Sequence, residues 1–289
     1  MVKSNILFVI IFIWACIIRL FMKPVAMRRI FVSALLFLIL SSGAVVMVSG
    51  FSPFAWTTPL AVNWSWERGL AHIPGGRLYM GSREGGVYAQ PGTVDITAFL
   101  MGRHPVTVSE FVDYLNAVQP VEGFQSPQIE RRRNRYRAVH GTLRLPVTHV
   151  SRYDALGYCA WLSERRGMTV RLPSESEWEW AARGGIRRAR YPWGWGKPEG
   201  RAVYNADGPV RVGSYTANAY GLFDMAGNVF EWCVTDHEPP REGSHPARGG
   251  SWAERDPGFL RVFHRTWFPA GYRDADVGFR IAVDLDNAG

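Results

Sequence analysis

The chain has 289 residues and a net charge of +8, from 33 Lys and Arg against 25 Asp and Glu. Aromatic residues make up 13% of it, including 12 Trp, and 30 Gly with 18 Pro imply many turns without implying disorder. Its three cysteines show no Cys-x-x-Cys pair, and no His-Glu-x-x-His run occurs, so neither a zinc-ligand spacing nor a zinc hydrolase is supported.

The first 50 residues hold no Asp or Glu and carry Lys3, Arg19, Lys23, Arg28 and Arg29. Residues 6–18 form an apolar run that is short for a bilayer span. Residues 30–51 are free of charge and long enough to cross. The basic residues ahead of that second run should stay in the cytoplasm, leaving the C-terminal bulk outside. Two forms fit: a two-segment transmembrane anchor, or a secretory signal peptide beginning near Met27 and ending in small residues such as Ser41, Ser42, Gly43 and Ala44. The expected location is therefore membrane-anchored or secreted, with the folded part on the extracytoplasmic, periplasmic side. Beyond residue 50 the balance is 28 basic to 25 acidic residues. The basic character thus reports topology, and no nucleic-acid partner is expected.

Residues 51–70 read as a linker, and residues 71–289 as one domain without a break in composition. Strand-like pieces fall at Leu78-Tyr79-Met80, Phe99-Leu100-Met101, Val147-Thr148-His149-Val150 and Phe279-Arg280-Ile281-Ala282. Three helices announce themselves by their caps. Thr107-x-x-Glu110 is a capping box followed by Phe111, Val112 and Leu115 at helical spacing. Ser151, with Asp154 in the first turn, leads to Leu156, Cys159 and Leu162. Ser174-x-x-Glu177 leads to Trp178, Ala181 and Ala182, and Gly184-Gly185 supplies a stop. Between the first two helices, Arg131, Arg132, Arg133, Arg135 and Arg137 surround Tyr136, a run read as a solvated loop or as a contact for an anionic surface. From Tyr191 onward turns dominate. Few helices, short strands and long loops predict an irregular, loop-rich α+β domain, its backbone fixed by aromatic packing and bound metal ions. Cys159 and Cys233 read equally as one disulfide or as two separately buried thiols.

The order of motifs from Pro74 to Arg280 carries a resemblance. Pro74-Gly75-Gly76-Arg77-Leu78-Tyr79-Met80-Gly81, Pro105-Val106-Thr107, Arg171-Leu172-Pro173-Ser174-Glu175-Ser176-Glu177-Trp178 and Tyr191-Pro192-Trp193-Gly194 come first. Gly221-Leu222-Phe223-Asp224-Met225-Ala226-Gly227-Asn228, Gly249-Gly250-Ser251-Trp252 and Gly278-Phe279-Arg280 follow. The series resembles the sulfatase-modifying factor family, also called the formylglycine-generating enzyme family. That resemblance implies a C-type-lectin-like fold of the formylglycine-generating enzyme type. It also implies an oxidoreductase whose founding member oxidises a sulfatase cysteine with oxygen and a copper ion held by two cysteines. The matching positions here are Glu254 and Phe259, which supply no soft thiolate pair for Cu(I), so copper is not expected.

The same resemblance places Asp224, the carbonyl of Ala226, Asn228 and Glu231 at a structural calcium site, with Asn205 in a second, more doubtful one; hard oxygen donors around a Gly turn suit Ca²⁺. Plain turns with local hydrogen bonds are the alternative. Ser251 and Trp252 match positions lining the substrate cleft, and a buried Glu254 would serve as a general base, unless it is a solvated carboxylate paired with Arg255. Arg261 and His264 follow as substrate contacts, while His149 reads as a hydrogen-bonded core residue. Two functions stay open. One is an exported or anchored enzyme that modifies, by oxidation, a protein or a secreted small molecule without copper. The other is a non-catalytic, lectin-like binding or scaffolding module at the membrane surface.

Overall fold

Each predicted helix start closes with a reciprocal cap. A computed structural model describes residues 69–82, 84, 92–236 and 242–285. The chain divides into units of residues 1–62 and 63–289; the former, with the expected membrane segments and most of the linker, lies outside the described residues. Among the described residues no helix is long and apolar enough to cross a membrane.

Helix α1 (Val108–Val118) opens where Glu110 N donates to Thr107 Oγ1 at 3.3 Å and Thr107 N donates to Glu110 Oε2 at 2.8 Å. Helix α2 (Arg152–Arg166) repeats the device with Ser151 and Asp154, and α3 (Glu175–Arg183) with Ser174 and Glu177. Helices α2 and α3 stop at Gly167 and Gly184, both left-handed. Such caps each stabilise a helix by roughly 1 kcal/mol, enough to fix where these short helices begin.

Among the described residues, twelve short strands complete the framework. One sheet runs β1 (Leu70–Ile73), β4 (Phe99–Gly102), β12 (Ala282–Asp284), β7 (Val170–Arg171), all antiparallel. A second runs β10 (Thr266–Pro269), β9 (Ser244–Arg248), β8 (Phe230–Trp232), β11 (Val277–Gly278), with only the β8–β11 pair parallel. Strands β2 (Gly76–Met80) and β3 (Gly92–Ile96) pair by themselves, as do β5 (Ile129–Arg132) and β6 (Arg135–Ala138). The arginine-rich run is therefore a hairpin, turned by Arg133 and Asn134 at φ 48° and 59°. Two left-handed residues make the tight connection whose twist suits paired strands.

Two expected strands do not form as read. Residues 147–150 are not a strand, because His149 takes φ 59° and breaks the extended run; His149 is half-buried, its Nδ1 3.2 Å from Thr148 Oγ1. The 279–282 piece is interrupted between β11 and β12, where the side chain of Arg280 turns into the interior. Cys159 and Cys233 are free thiols in separate apolar clusters, one around Phe111, Tyr158 and Phe279, the other around Trp178, Phe99 and Met101. Burying each such aromatic ring contributes about 1.5–3 kcal/mol, and these clusters hold the helices against the two larger sheets.

Candidate functional site

The parallel pairing of β8 and β11 lays residues 227–231 beside residues 276–280, and β9 delivers the Gly-Gly-Ser-Trp run to the same place. Gly227 N donates to Gly249 O at 2.8 Å, Phe230 N to Asp276 O at 2.8 Å and Trp252 N to Asn228 O at 3.0 Å. Gly250 lies at φ 73°, and a Cβ there would stand 2.9 Å from the carbonyl oxygen of Phe259, so the loop closes only over glycine.

At this junction Ser251 is fully buried, and its hydroxyl donates to Asp276 Oδ2 at 2.7 Å. Trp252 Nε1 donates to Ala275 O at 3.1 Å. Ser251 and Trp252 are thus both fastened to one acidic segment, residues 274–276. Glu254 is half-buried, and no ion pair joins it to Arg255. Desolvation pushes its carboxyl above the usual range, and the charges of Asp276 and Asp256 push further. Asp276 is raised too, chiefly by burial and then by Asp274, with the Ser251 hydroxyl pulling the other way. A carboxylate lifted by burial and by its neighbours is poised to accept and release a proton.

Arg261 and His264 follow a 3-10 turn, Pro257–Leu260, capped by Asp256. The His264 ring lies 4.5 Å from that of Phe259, and Nε2 is 3.3 Å from Thr266 Oγ1. Burial, then Arg248 and Arg261, depress the imidazole to about 4, so it is neutral at neutral pH. Arg261 lies over the ring of Phe263 at 6.0 Å. Among the described residues no hydrogen bond ties either side chain to Ser251, Trp252 or Glu254.

Of the residues matched to calcium, the side chains of Asp224, Asn228 and Glu231 have protein partners. Asp224 Oδ2 accepts from Gly213 N at 2.8 Å, and Asn228 exchanges two bonds with the backbone of Val210, at 3.1 and 3.2 Å. Asp224, Asn228 and Asn205 hold left-handed turns, at φ 56°, 66° and 48°, and Ala226 is buried in a small apolar cluster. Glu231 accepts from Trp178 Nε1 at 2.6 Å and from Arg280 at 2.6 and 2.7 Å, so both its oxygens belong to a buried ion pair. A calcium shell that included Glu231 would have to break that pair. Among the described residues no group of three His, Cys, Asp or Glu could hold a metal ion. Burial raises the Cys159 thiol to about 12 and Cys233 well above its ordinary value, so both stay protonated at neutral pH.

Buried arginines fix several of the loops. Arg248 NH2 lies 2.7 Å from Glu179 Oε2 and also donates to Val262 O at 3.1 Å, while its NH1 donates to His264 O at 3.1 Å. Arg183 NH2 lies 2.6 Å from Glu179 Oε1, and Arg265 Nε lies 2.9 Å from Glu175 Oε1. Arg280 adds bonds to Gly102 O at 3.0 Å and Phe223 O at 2.9 Å. Arg248, Arg183 and Arg280 each close a loop by holding its carbonyls.

A family model described as sulfatase-modifying factor enzyme 1-like domain matches residues 64–285. The serine/threonine-protein kinase pkn1 of Chlamydia caviae is 33% identical over 238 residues, which are 74% of this chain and 37% of that protein. The chain thus spans well under half the length of that relative. The inactive C-alpha-formylglycine-generating enzyme 2 of Mus musculus is 32% identical over 269 residues, covering 74% of this chain and 85% of its own. Among solved structures, PvdO from Pseudomonas aeruginosa superposes with a TM-score of 0.61 at 27% identity, covering 75% of this chain and 94% of that one.

Proposed function

The chain belongs to the sulfatase-modifying factor family, and from that premise we propose a copper-independent modifying enzyme that acts outside the cytoplasmic membrane. Its substrate is a protein or a secreted small molecule. Glu254 accepts a proton from the substrate, helped by a carboxyl already lifted by burial and by Asp276. Trp252 forms an apolar wall, and the Ser251–Asp276 bond fixes the floor. An oxidative modification would pass its electrons to dioxygen. The observation that carries the reading is the junction of Ser251, Asp276 and Glu254 where founding members keep copper ligands. The apolar runs at residues 6–18 and 30–51 support the location.

A second reading, a binding module, has one observation in its favour: Ser251 is fully buried with its hydroxyl committed to Asp276, as in a structural turn. A strain lacking the protein separates the two. Its extracytoplasmic proteins and metabolites are compared after complementation with the wild type and with Glu254→Gln. The enzyme reading expects a product restored by the wild type in copper-depleted medium and not by Glu254→Gln. Equal restoration by both would favour the binding module.

A further inference from the structure

Two cavities flank Tyr79, away from Ser251 and Glu254, and they share Tyr79, Arg183 and Arg188 as walls. The first, about 380 Å³, is lined on its polar side by Arg190, Glu84 and Ser82, with Trp195 beside them. The second, about 460 Å³, is lined by Leu78, Trp180, Ile186 and Arg187. Both volumes fall in the range of small-molecule sites.

The charges around them are not equal in kind. Arg183 is neutralised by Glu179 at 2.6 Å, Arg190 by Glu84 at 2.7 Å and Arg77 by Asp95 at 2.8 Å. Arg187 and Arg188 are exposed, and no acidic partner faces either among the described residues. Arg188 lies in the left-handed region at φ 57°, an uncommon backbone for arginine. Its guanidinium is held 4.9 Å above the ring of Tyr79, on the wall between the cavities. The turn after α3 thus aims an uncompensated cation at the junction of a polar cavity and an apolar one. Trp180 spends its indole N–H on Pro74 O at 2.7 Å, so its contribution to the apolar cavity is apolar ring surface.

We propose that these paired cavities bind a small amphiphilic anion: a planar apolar body against Leu78, Trp180 and Ile186, joined to a sulfonate, sulfate or carboxylate held by Arg188 and Arg187. A guanidinium matches such oxyanions in bidentate fashion, and aromatic walls suit a flat body. The site is independent of any chemistry at Glu254, since binding is read without turnover.

The test is calorimetric titration of the full chain with naphthalene-2-sulfonate and with 2-naphthoate, beside inorganic sulfate and neutral 2-naphthol. Saturable one-to-one binding by either naphthyl anion is expected, with sulfate and 2-naphthol each at least about tenfold weaker. Arg188→Ala and Tyr79→Ala should each weaken it about tenfold. Arg133→Ala, on the distant-in-sequence hairpin, should leave it unchanged. Unaltered far-UV circular dichroism and melting temperature would show that the variants fold. Three results would overturn the proposal: no saturable binding of either anion, equal loss in Arg133→Ala and Arg188→Ala, or sulfate binding as tightly as naphthalene-2-sulfonate.

Discussion

The carboxylates around α3 and those around the Gly-Gly-Ser-Trp loop live in opposite electrostatic settings. Glu175, Glu179 and Glu231 are fully buried, and each faces an arginine at 2.6–2.9 Å. Glu254 feels the charges of Asp276 and Asp256, and Asp276 that of Asp274, and among the described residues none of these four has an arginine as a hydrogen-bond or ion-pair partner. In the first region charge is cancelled and its hydrogen bonds close loops. In the second, burial and like charges raise Glu254 and Asp276. One set of acids holds the fold through ion pairs, and the other keeps its charges close together without arginine partners.

The largest test of that contrast breaks the first region. Arg280→Met leaves Glu231 buried without its partner and should cost about 3–5 kcal/mol, read by urea denaturation. Adding Glu231→Leu should recover much of the loss, because an apolar pair needs no desolvation of charge.

A smaller effect comes from His264, on the border between the regions. Its folded value of about 4 lies below the ordinary 6.5, so as pH falls the unfolded chain takes up the proton first. Stability is lost from pH 6.5 down to about 4 and levels off below. The slope is about 1.4 kcal/mol per pH unit. Asp224 and Asp276, raised by burial, act with the opposite sign nearer the carboxylate range. Comparison of the wild type with His264→Asn across pH 7 to 4 isolates the imidazole, and the variant should show the flatter curve.

The smallest effects belong to the second region and to metal removal. Glu254→Gln should change stability by no more than about 0.5 kcal/mol, since that side chain is half-exposed and unpaired by any cation. Exhaustive dialysis against a chelator should leave the melting temperature within about 1 °C if buried arginines, not calcium, fix the loops. A larger fall would show that the Asp224, Asn228 and Glu231 turn does hold an ion.

What the sequence discloses follows the range of the interaction. Thr107, Ser151 and Ser174 cap helices through partners three residues away, so their spacing alone marks the starts. Gly184 ends α3 for the same local reason. The Glu231–Arg280 and Glu179–Arg248 ion pairs join residues 49 and 69 positions apart, and Ser251 meets Asp276 across 25. No periodicity or spacing announces such meetings, which depend on β8 and β11 lying side by side. Glu231 reads as an oxygen donor beside a glycine turn, and only the folded chain shows that Arg280 claims both oxygens. That no cysteine stands between Gly249 and Phe259 is legible by contrast, because it belongs to one short run of residues. Asp276 could have been noticed only as an acid just ahead of Gly278-Phe279-Arg280, a weak signal without its neighbours.

The central claim is that Glu254 titrates high because burial and the Asp276 charge act on it together. Carbon-13 NMR titration of the side-chain carboxyls, in the wild type and in Asp276→Asn, tests it most directly. The account predicts a Glu254 midpoint above the ordinary 4.5 that falls toward it when Asp276 loses its charge. An ordinary midpoint in the wild type, or one unmoved by Asp276→Asn, would contradict it.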